Sequence, residues 1–561
     1  MNDSSEKGDL VSSKDLKTCE EEKQKSELES EFRINQRVHS VGDSRRIGTV
    51  KYIGSVKGYS GIWIGVDWDN GEGKHNGSVN GINYFQAKGQ ISASFVRPQN
   101  LSHGITLLEA LELRYRTDST KEEEDEMYVL SARNKRVAIQ LLGKDKIQDR
   151  LSRFEELVGV SLSYLGISSV GPPHQISNIV PNLKELDLTG NLLSEWTEVG
   201  SIFEQLESLA VLNLSSNHLA CKIPQLPSPK NIRVLVLNNC GINWTQVETL
   251  KQSLPTIGEL HLMGNQLKNI MPASSDFVQG FDSLRVLNLE DNCFHKWDEI
   301  LKLSHLRSLE QLHLNKNNLE CIFYPDSNSR CGEMIDGSES CGSCFRPFKN
   351  LHCLLLGGNK ISDLASVDSL NSFPSLMDIR LSENPIVDPA IGGISRFILI
   401  ARLAKVEILN GSEVSPRERK ESEIRYVRFV MSKMQVKTEE IKQVHPRFAE
   451  LKYLHGIEDE KPQSVNAGPQ KMSSGLLSVT LKCVGASIGE RPPLTKKLPT
   501  TTTVGKLKVL CESFFKLKSI KPRLFLQEKG SPLPVLLDDE MSSLMDLGVG
   551  NEATILVDEE D

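Results

Sequence analysis

Lys74 stands in the run Gly73-Lys74-His75-Asn76-Gly77, in a stretch crowded with glycine and rings: Gly58, Tyr59, Gly61, Trp63, Gly65, Trp68, Gly71, Tyr84, Phe85 and Phe95. A carboxylate is held by a cation and by backbone amides, and glycine lets those amides approach with no Cβ in the way. Lys74 offers the cation, and His75 and Asn76 can add hydrogen bonds. Trp63, Tyr84, Phe85 and Phe95 can supply an apolar bed for an aromatic side chain. Together these residues suit a groove for a short peptide ending in acidic and aromatic residues and a free carboxylate. The competing role is structural, because a barrel of about 70 residues needs nearly every large side chain to hold together. On sequence alone Trp68 and Phe95 divide between core and groove, and composition by itself reads Lys74 as a solvated turn lysine.

Catalytic chemistry finds little support. Gly73-Lys74 is followed by His75 rather than Ser or Thr, and Gly505-Lys506 by Leu507, with no glycine at the upstream position of a phosphate-binding loop. The histidines are dispersed and lie near no nucleophile elbow or metalloprotease pattern. The chain is expected to work by binding, not as an enzyme, and to need no cofactor. Cys321, Cys331, Cys341 and Cys344, with Cys353 just beyond, include one Cys-x-x-Cys pair that permits tetrahedral zinc. The outer spacings are irregular and no second pair exists, so free thiols in a flexible loop are the favoured reading.

The elements that must position these residues divide 561 residues into several domains. The apolar fraction of 38% and charged fraction of 25% are those of globular protein. A net charge of −8 argues against a nucleic-acid partner, which favours a basic face. No apolar stretch approaches the ~20 residues of a membrane span, and the polar N-terminus is not read as a secretory signal. Eleven scattered cysteines form no compact disulfide framework, so a reduced cytoplasmic chain is expected.

Residues 1–31 are charged and serine-bearing and read as disordered. Residues 32–101 alternate short β-rich runs with glycine turns, which predicts a small β-barrel. Residues 102–156 read as a connecting segment. From 157 to 410 the pattern Leu-x-x-Leu-x-Leu-x-x-Asn recurs, from Leu183, Leu209, Leu284, Leu309 and Leu351, with looser copies from Ile232, Ile257 and Leu376. Starts fall about 23–27 residues apart, apart from one step lengthened by the insertion at 321–345. That is the period of an α/β leucine-rich-repeat solenoid, with Ile394 to Asn410 as its cap.

In each repeat the spaced leucines point inward, leaving the residue between the second and third on the concave sheet. These are Asp187, Asn213, Val236, His261, Asn288, His313, Leu355 and Arg380, a mostly polar row that suits a protein partner. Residues 411–460 predict a helical arm and 461–474 a linker. In 475–561 a strand, a helix at Val504 to Phe515 and further strands at Arg523 to Gln527 and Ala553 to Val557 predict a compact α+β domain.

Two modules carry resemblances. Gly61-Ile62-Trp63-Ile64-Gly65-Val66, Gly73-Lys74-His75-Asn76-Gly77-Ser78-Val79, Tyr84-Phe85 and Ser94-Phe95-Val96-Arg97-Pro98 make residues 42–98 similar to a CAP-Gly domain. That resemblance implies binding of C-terminal Glu-Glu-Tyr/Phe tails, notably that of α-tubulin. The usual loop is Gly-Lys-Asn-Asp-Gly, and this chain departs from it at His75 and Asn76. The last domain resembles the ubiquitin-like β-grasp family in segment order and in Arg523-Leu524-Phe525-Leu526. The sequence ends Asp558-Glu559-Glu560-Asp561 rather than Gly-Gly, so an interaction role is expected, with the proteasome among its candidate partners.

The order of the modules resembles the tubulin-folding cofactors. The resemblance implies α-tubulin as partner, together with the cofactors that hold β-tubulin and stimulate its GTPase, in assembly and disassembly of the αβ heterodimer. A microtubule-associated adaptor and a ubiquitin-pathway scaffold are the alternatives.

Overall fold

The computed structural model describes residues 31–116, 128–130, 136–138, 150–272, 276–325, 346–432, 444–457, 476–485, 491–517, 521–527, 534–537, 540, 543–544, 547, 549–550 and 552–559. The chain forms two compact units, one built on Met1–Leu267 and the other on Leu287–Asp561.

The first unit begins with a five-stranded antiparallel sheet, ordered Ala93–Val96, Tyr59–Trp68, Asp43–Val56, Arg37–Ser40 and Leu101–Ser102. Alternation along the strands sends Val38, Val50, Ile62, Ile64, Val66 and Trp68 into one core with Phe32 and Leu101. The register slips between Val50 and Tyr52. Such a bulge re-aims the side chains beyond it. Arg37, 4% exposed, pairs two-pronged with Asp69 and also donates to Thr49 Oγ1.

The barrel is packed against the first repeat within the same unit. Ile105–Thr106 pairs in parallel with Ile167–Ser169, and Ile105 N donates to Gly166 O at 3.0 Å. Thr106 then caps the helix Leu107–Tyr115, its side chain accepting from Glu109 N while Thr106 N donates to Glu109 Oε2. The His39 ring lies so close to Gly166 that a Cβ there would meet Nε2 at 2.6 Å. The Arg45 guanidinium sits 5.3 Å from the Tyr164 ring centroid.

Beyond it, Gly159–Ser161, Glu185–Asp187, Val211–Asn213, Val234–Val236 and Glu259–His261 pair in parallel and in register. Each central residue (Val160, Leu186, Leu212, Leu235, Leu260) is buried. The asparagine ending each repeat is buried as well, because its amide satisfies backbone groups at the turn. Asn191 Nδ2 donates to Leu162 O and Leu188 O, while its Oδ1 accepts from Leu165 N and Ile167 N. Asn217 repeats the donor half of the arrangement, and Asn265 donates to Leu237 O while its Oδ1 accepts from Cys240 N and Ile242 N. Cys240 takes the place of one such asparagine, its thiol donating to Leu214 O at 3.2 Å, and burial pushes that thiol up to about 12. On the outer side Trp196 and Trp244 open the helices Trp196–Gln205 and Trp244–Ser253, both rings buried.

In the second unit Gln311–His313, Cys353–Leu355, Asp378–Arg380 and Ile408–Leu409 continue the same parallel pairing. Asn317, Asn359 and Asn384 repeat the buried amide bonds. The antiparallel strand Ser412–Glu413 then covers the Ile408–Leu409 edge. Covering the last strand removes an open row of backbone donors and acceptors. The helices Arg396–Arg402, Pro416–Ser432 and Phe448–Leu454 pack through Phe397, Ile398, Ala401, Tyr426, Val427, Val430, Phe448 and Leu451.

The last domain is a mixed five-stranded sheet, ordered Leu494–Pro499, Leu476–Cys483, Ala553–Glu559, Pro522–Gln527 and Val535–Leu537, with the helix Val504–Phe515 over it. Its two central strands are parallel and the outer pairs antiparallel, the β-grasp arrangement. Thr503 caps the helix, accepting from Lys506 N. Two of these strands, Leu494–Pro499 and Val535–Leu537, are not legible in the sequence pattern. Two adjacent lysines interrupt the apolar alternation of the first, and prolines crowd the approach to the second.

Among the described residues no helix is long and apolar enough to cross a membrane. Cys331, Cys341 and Cys344 lie outside the described residues. Cys353 belongs to the repeat sheet, its thiol 3.6 Å from the Asp378 carboxylate and pushed up to about 12 by burial and that carboxylate.

Candidate functional site

Gly73-Lys74-His75-Asn76-Gly77 is bound to the edge of the barrel by its backbone. Gly73 N donates to Ile91 O, Lys74 N and His75 N both reach Ala93 O, and Ala93 N returns a bond to His75 O. Gly73 is needed for closeness, since a Cβ would fall 2.4 Å from Ala93 backbone atoms. Gly77 is needed twice over: its φ is +98°, and a Cβ would lie 1.9 Å from Phe85 O. The loop is therefore pressed onto the segment that carries Tyr84 and Phe85. Tyr84 N donates to Gly77 O and Ala87 N to Asn76 O.

Phe95 is the hub of the ring cluster. Its centroid lies 5.0 Å from His75, 5.4 Å from Tyr84, 5.7 Å from Phe85 and 5.8 Å from Tyr52, mostly edge to face. Phe85 lies over Gly65, where a Cβ would meet the ring at 2.3 Å. Tyr84 Oη accepts from Lys57 N at 2.9 Å. Trp63 stands to one side, its ring under the Arg97 guanidinium at 3.8 Å and edge-on to Tyr59 at 5.9 Å. Arg97 is fixed there by Ile62 O and Ser60 O.

The structure thus brings together Gly73, Lys74, His75, Asn76, Gly77, Tyr84, Phe85 and Phe95, all half-buried or exposed apart from buried Gly77. Lys74 is exposed and makes no salt bridge among the described residues. Trp68 resolves to the core, 3% exposed, beneath the Arg46 guanidinium.

Sequence reading passed over Tyr52 as a groove residue. Its hydroxyl donates to Ser55 O at 2.7 Å, and burial, then the neighbouring Tyr84, raise its pKa. The signal lies in its partner: Tyr52 pairs with Gly65 across the strands, and Gly65 pairs with Phe95.

His75 has an assigned task. Its Nδ1 accepts from Gly77 N at 3.0 Å, so the neutral ring carries its proton on Nε2. Burial, then the Lys74 charge, hold the ring below its ordinary pKa of 6.5. As pH falls, the unfolded chain takes up this proton before the folded loop does. The contribution of His75 to stability is complete above pH 6.5 and declines from there towards the lowered folded value. The barrel's thermal midpoint is expected to fall between about pH 7.5 and 5.5, and His75→Asn to flatten part of that slope. Tryptophan-detected melts of both proteins measure it, and identical slopes count against this role.

On the repeats of the first unit Asp187, Asn213, Val236 and His261 are direct cross-strand neighbours. Burial would raise the Asp187 carboxyl, but bonds from Thr189, Ser163 and Ser161 outweigh it and leave its pKa lowered. Asn213 Oδ1 accepts from Ser215, and His261 lies 3.5 Å from the Glu259 carboxylate. In the second unit His313, Leu355 and Arg380 are neighbours in register. Asn288 Oδ1 accepts from Glu290 N, and Arg380 Nε donates to Ser382 Oγ. Local bonds hold several of these side chains in place, as a preformed surface requires.

A Gly-Lys-x-x-Gly loop beside a ring-lined groove, a leucine-rich-repeat solenoid and a β-grasp domain define a multidomain CAP-Gly protein. The CAP-Gly family model matches residues 34–101. Tubulin-folding cofactor E of Arabidopsis thaliana is 64% identical, covering 94% of this chain and 98% of that protein. Tubulin-specific chaperone E of Danio rerio is 31% identical, covering 91% and 96%. Among solved structures, the C-terminal ubiquitin-like domain of mouse tubulin-specific chaperone E is 27% identical, covering 17% of this chain and 96% of that one, with a TM-score of 0.15. The chain belongs to the tubulin-folding cofactor E family, and it is a chaperone-type protein rather than an enzyme.

Proposed function

We propose that this chain is a cytoplasmic tubulin-folding cofactor that grips α-tubulin at two places. The groove of Lys74, His75 and the Phe95 ring cluster takes the acidic, aromatic-ended C-terminal tail, and the polar face of the repeats holds the globular body. Joining two sites in one chain raises the effective concentration of the second contact once the first has formed. Acting with the cofactors that hold β-tubulin and stimulate GTP hydrolysis, such a grip would serve assembly and disassembly of the αβ heterodimer. One observation carries the reading: an exposed lysine, without a salt-bridge partner among the described residues, beside four packed aromatic rings on a loop that glycine presses against them.

Titration against full-length α-tubulin tests it. Lys74→Ala is expected to weaken binding about tenfold or more, near 1.4 kcal/mol. α-Tubulin lacking its tail should bind wild type about as weakly, and should not distinguish the variant from it. Unchanged binding by Lys74→Ala overturns the tail site, and tight binding of tail-less tubulin overturns the two-site grip. Preference for polymer over soluble dimer in cosedimentation would favour the microtubule adaptor instead.

A further inference from the structure

The alternation that sends each central leucine of the first unit's repeats inward sends the residues on either side of it to the opposite face of the sheet. The parallel register lines these up in two rows. One row runs Glu185, Val211, Val234 and Glu259, and the other Asp187, Asn213, Val236 and His261. Val211 and Val234 are direct cross-strand neighbours, and Val236 lies two residues along the strand from Val234. Three valines therefore form one patch within a polar face. All three are half-exposed, whereas Leu212 and Leu235 beside them in the same strands are fully buried.

Carboxylates flank the patch on both sides. Glu185 is paired with Val211, is exposed and makes no salt bridge among the described residues. Asp187 accepts from Ser161 Oγ, Ser163 Oγ and Thr189 Oγ1, bonds that favour its charged form. On the far side Glu259 is paired with Val234, and the His261 ring paired with Val236 lies 3.5 Å from the Glu259 carboxylate. The cations next in sequence, Lys184 and Arg233, fall on the alternate positions, and Arg233 is turned back onto Lys230 O and Ile232 O.

We infer that Val211, Val234 and Val236 are the contact centre of this face, and that they take a partner segment carrying an aliphatic or aromatic side chain flanked by lysine or arginine. The inference rests on the reading that the repeats hold the α-tubulin body, and it names the part of the face that bears the contact and the chemistry that meets it. An apolar centre within a polar rim lets an interface exclude water where its binding energy is concentrated. Valine suits that centre because its side chain is stiff and loses little freedom on contact. Carboxylates on two sides select a basic surround and disfavour an acidic one.

The test uses the full-length chain against α-tubulin lacking its tail, with a Glu-Glu-Tyr peptide as a separate reading of the Lys74 groove. Val234→Gln, and Val211→Gln with Val236→Gln, should each weaken binding of tail-less tubulin by about tenfold and leave the peptide titration unchanged. Glu185→Lys should weaken it by about threefold at low salt, a difference that fades as salt rises. Thermal melts confirm that each variant is folded. Wild-type affinity for tail-less tubulin in the valine variants overturns the patch, and tighter binding by Glu185→Lys overturns the basic surround. Self-association of the free chain that Val234→Gln abolishes would assign the patch to a second copy and overturn α-tubulin as its occupant. Failure of wild type to bind tail-less tubulin at all overturns the body grip itself, and the peptide titration shows separately whether the groove reading stands.

Discussion

Gly77→Ala is expected to destabilise the barrel by about 3 kcal/mol and to reduce tail-peptide binding by more than tenfold. Two independent costs combine at this position. A φ of +98° strains any residue with a Cβ, and that Cβ would sit 1.9 Å from the carbonyl oxygen of Phe85. The clash is with backbone, so no rotamer change relieves it. Either the loop lifts or the Tyr84–Phe85 segment withdraws, and both movements separate Lys74 from the rings. Gly81→Ala is the control, because Gly81 also has positive φ, at +77°, but nothing lies within 4 Å of its Cβ position. It should cost only about 1–2 kcal/mol and leave the peptide titration within experimental scatter of wild type. Thermal melts and peptide titrations of the two variants read both quantities. Equal behaviour would mean that strain, not the close approach of loop and rings, decides the site.

The second large effect is expected at Arg402, which is 1% exposed. Its guanidinium meets Asp368 in a two-pronged pair at 2.9 and 2.5 Å, and donates to Tyr426 Oη at 3.2 Å and Val444 O at 2.8 Å. Tyr426 Oη in turn lies 2.8 Å from His445 Nδ1. The cluster ties Asp368, in the repeat that begins at Leu351, to the capping helix, to Pro416–Ser432 and to the segment before Phe448–Leu454. Arg402→Met should cost about 3–5 kcal/mol, because it strands the Asp368 carboxylate, the Val444 carbonyl and the Tyr426 hydroxyl. Replacing both partners, Arg402→Met with Asp368→Leu, should recover much of that loss, since no buried charge then stands alone. Urea unfolding followed with hydrogen exchange over residues 416–432 gives the measurement. A single variant within about 1 kcal/mol of wild type would show that the apolar cluster of Phe397, Tyr426 and Phe448 suffices as the cap.

Residue types and their spacing by themselves determined a good deal about this protein. The Leu-x-x-Leu-x-Leu-x-x-Asn period announces the solenoid because each short strand must bury its central leucine and each turn needs an amide to satisfy its backbone. The Gly-Lys-x-x-Gly loop and the rings around it announce a carboxylate-seeking groove, since cation, open backbone and aromatic bed are chemical properties of the residues themselves. Tertiary structure alone decided which of those residues share a site. In sequence Trp68 divides between core and groove, and a five-residue step along one strand from Trp63 sends Trp68 into the core while leaving Trp63 beneath Arg97. Tyr52 joins the cluster because the register slips just before it and Gly54, with no Cβ, leaves room for its ring and hydroxyl. Arg45 reaches the Tyr164 ring only because the barrel packs on the first repeat, a contact between residues about 120 positions apart. Periodicity records what each segment must bury, whereas proximity across such distances depends on how whole surfaces fit together.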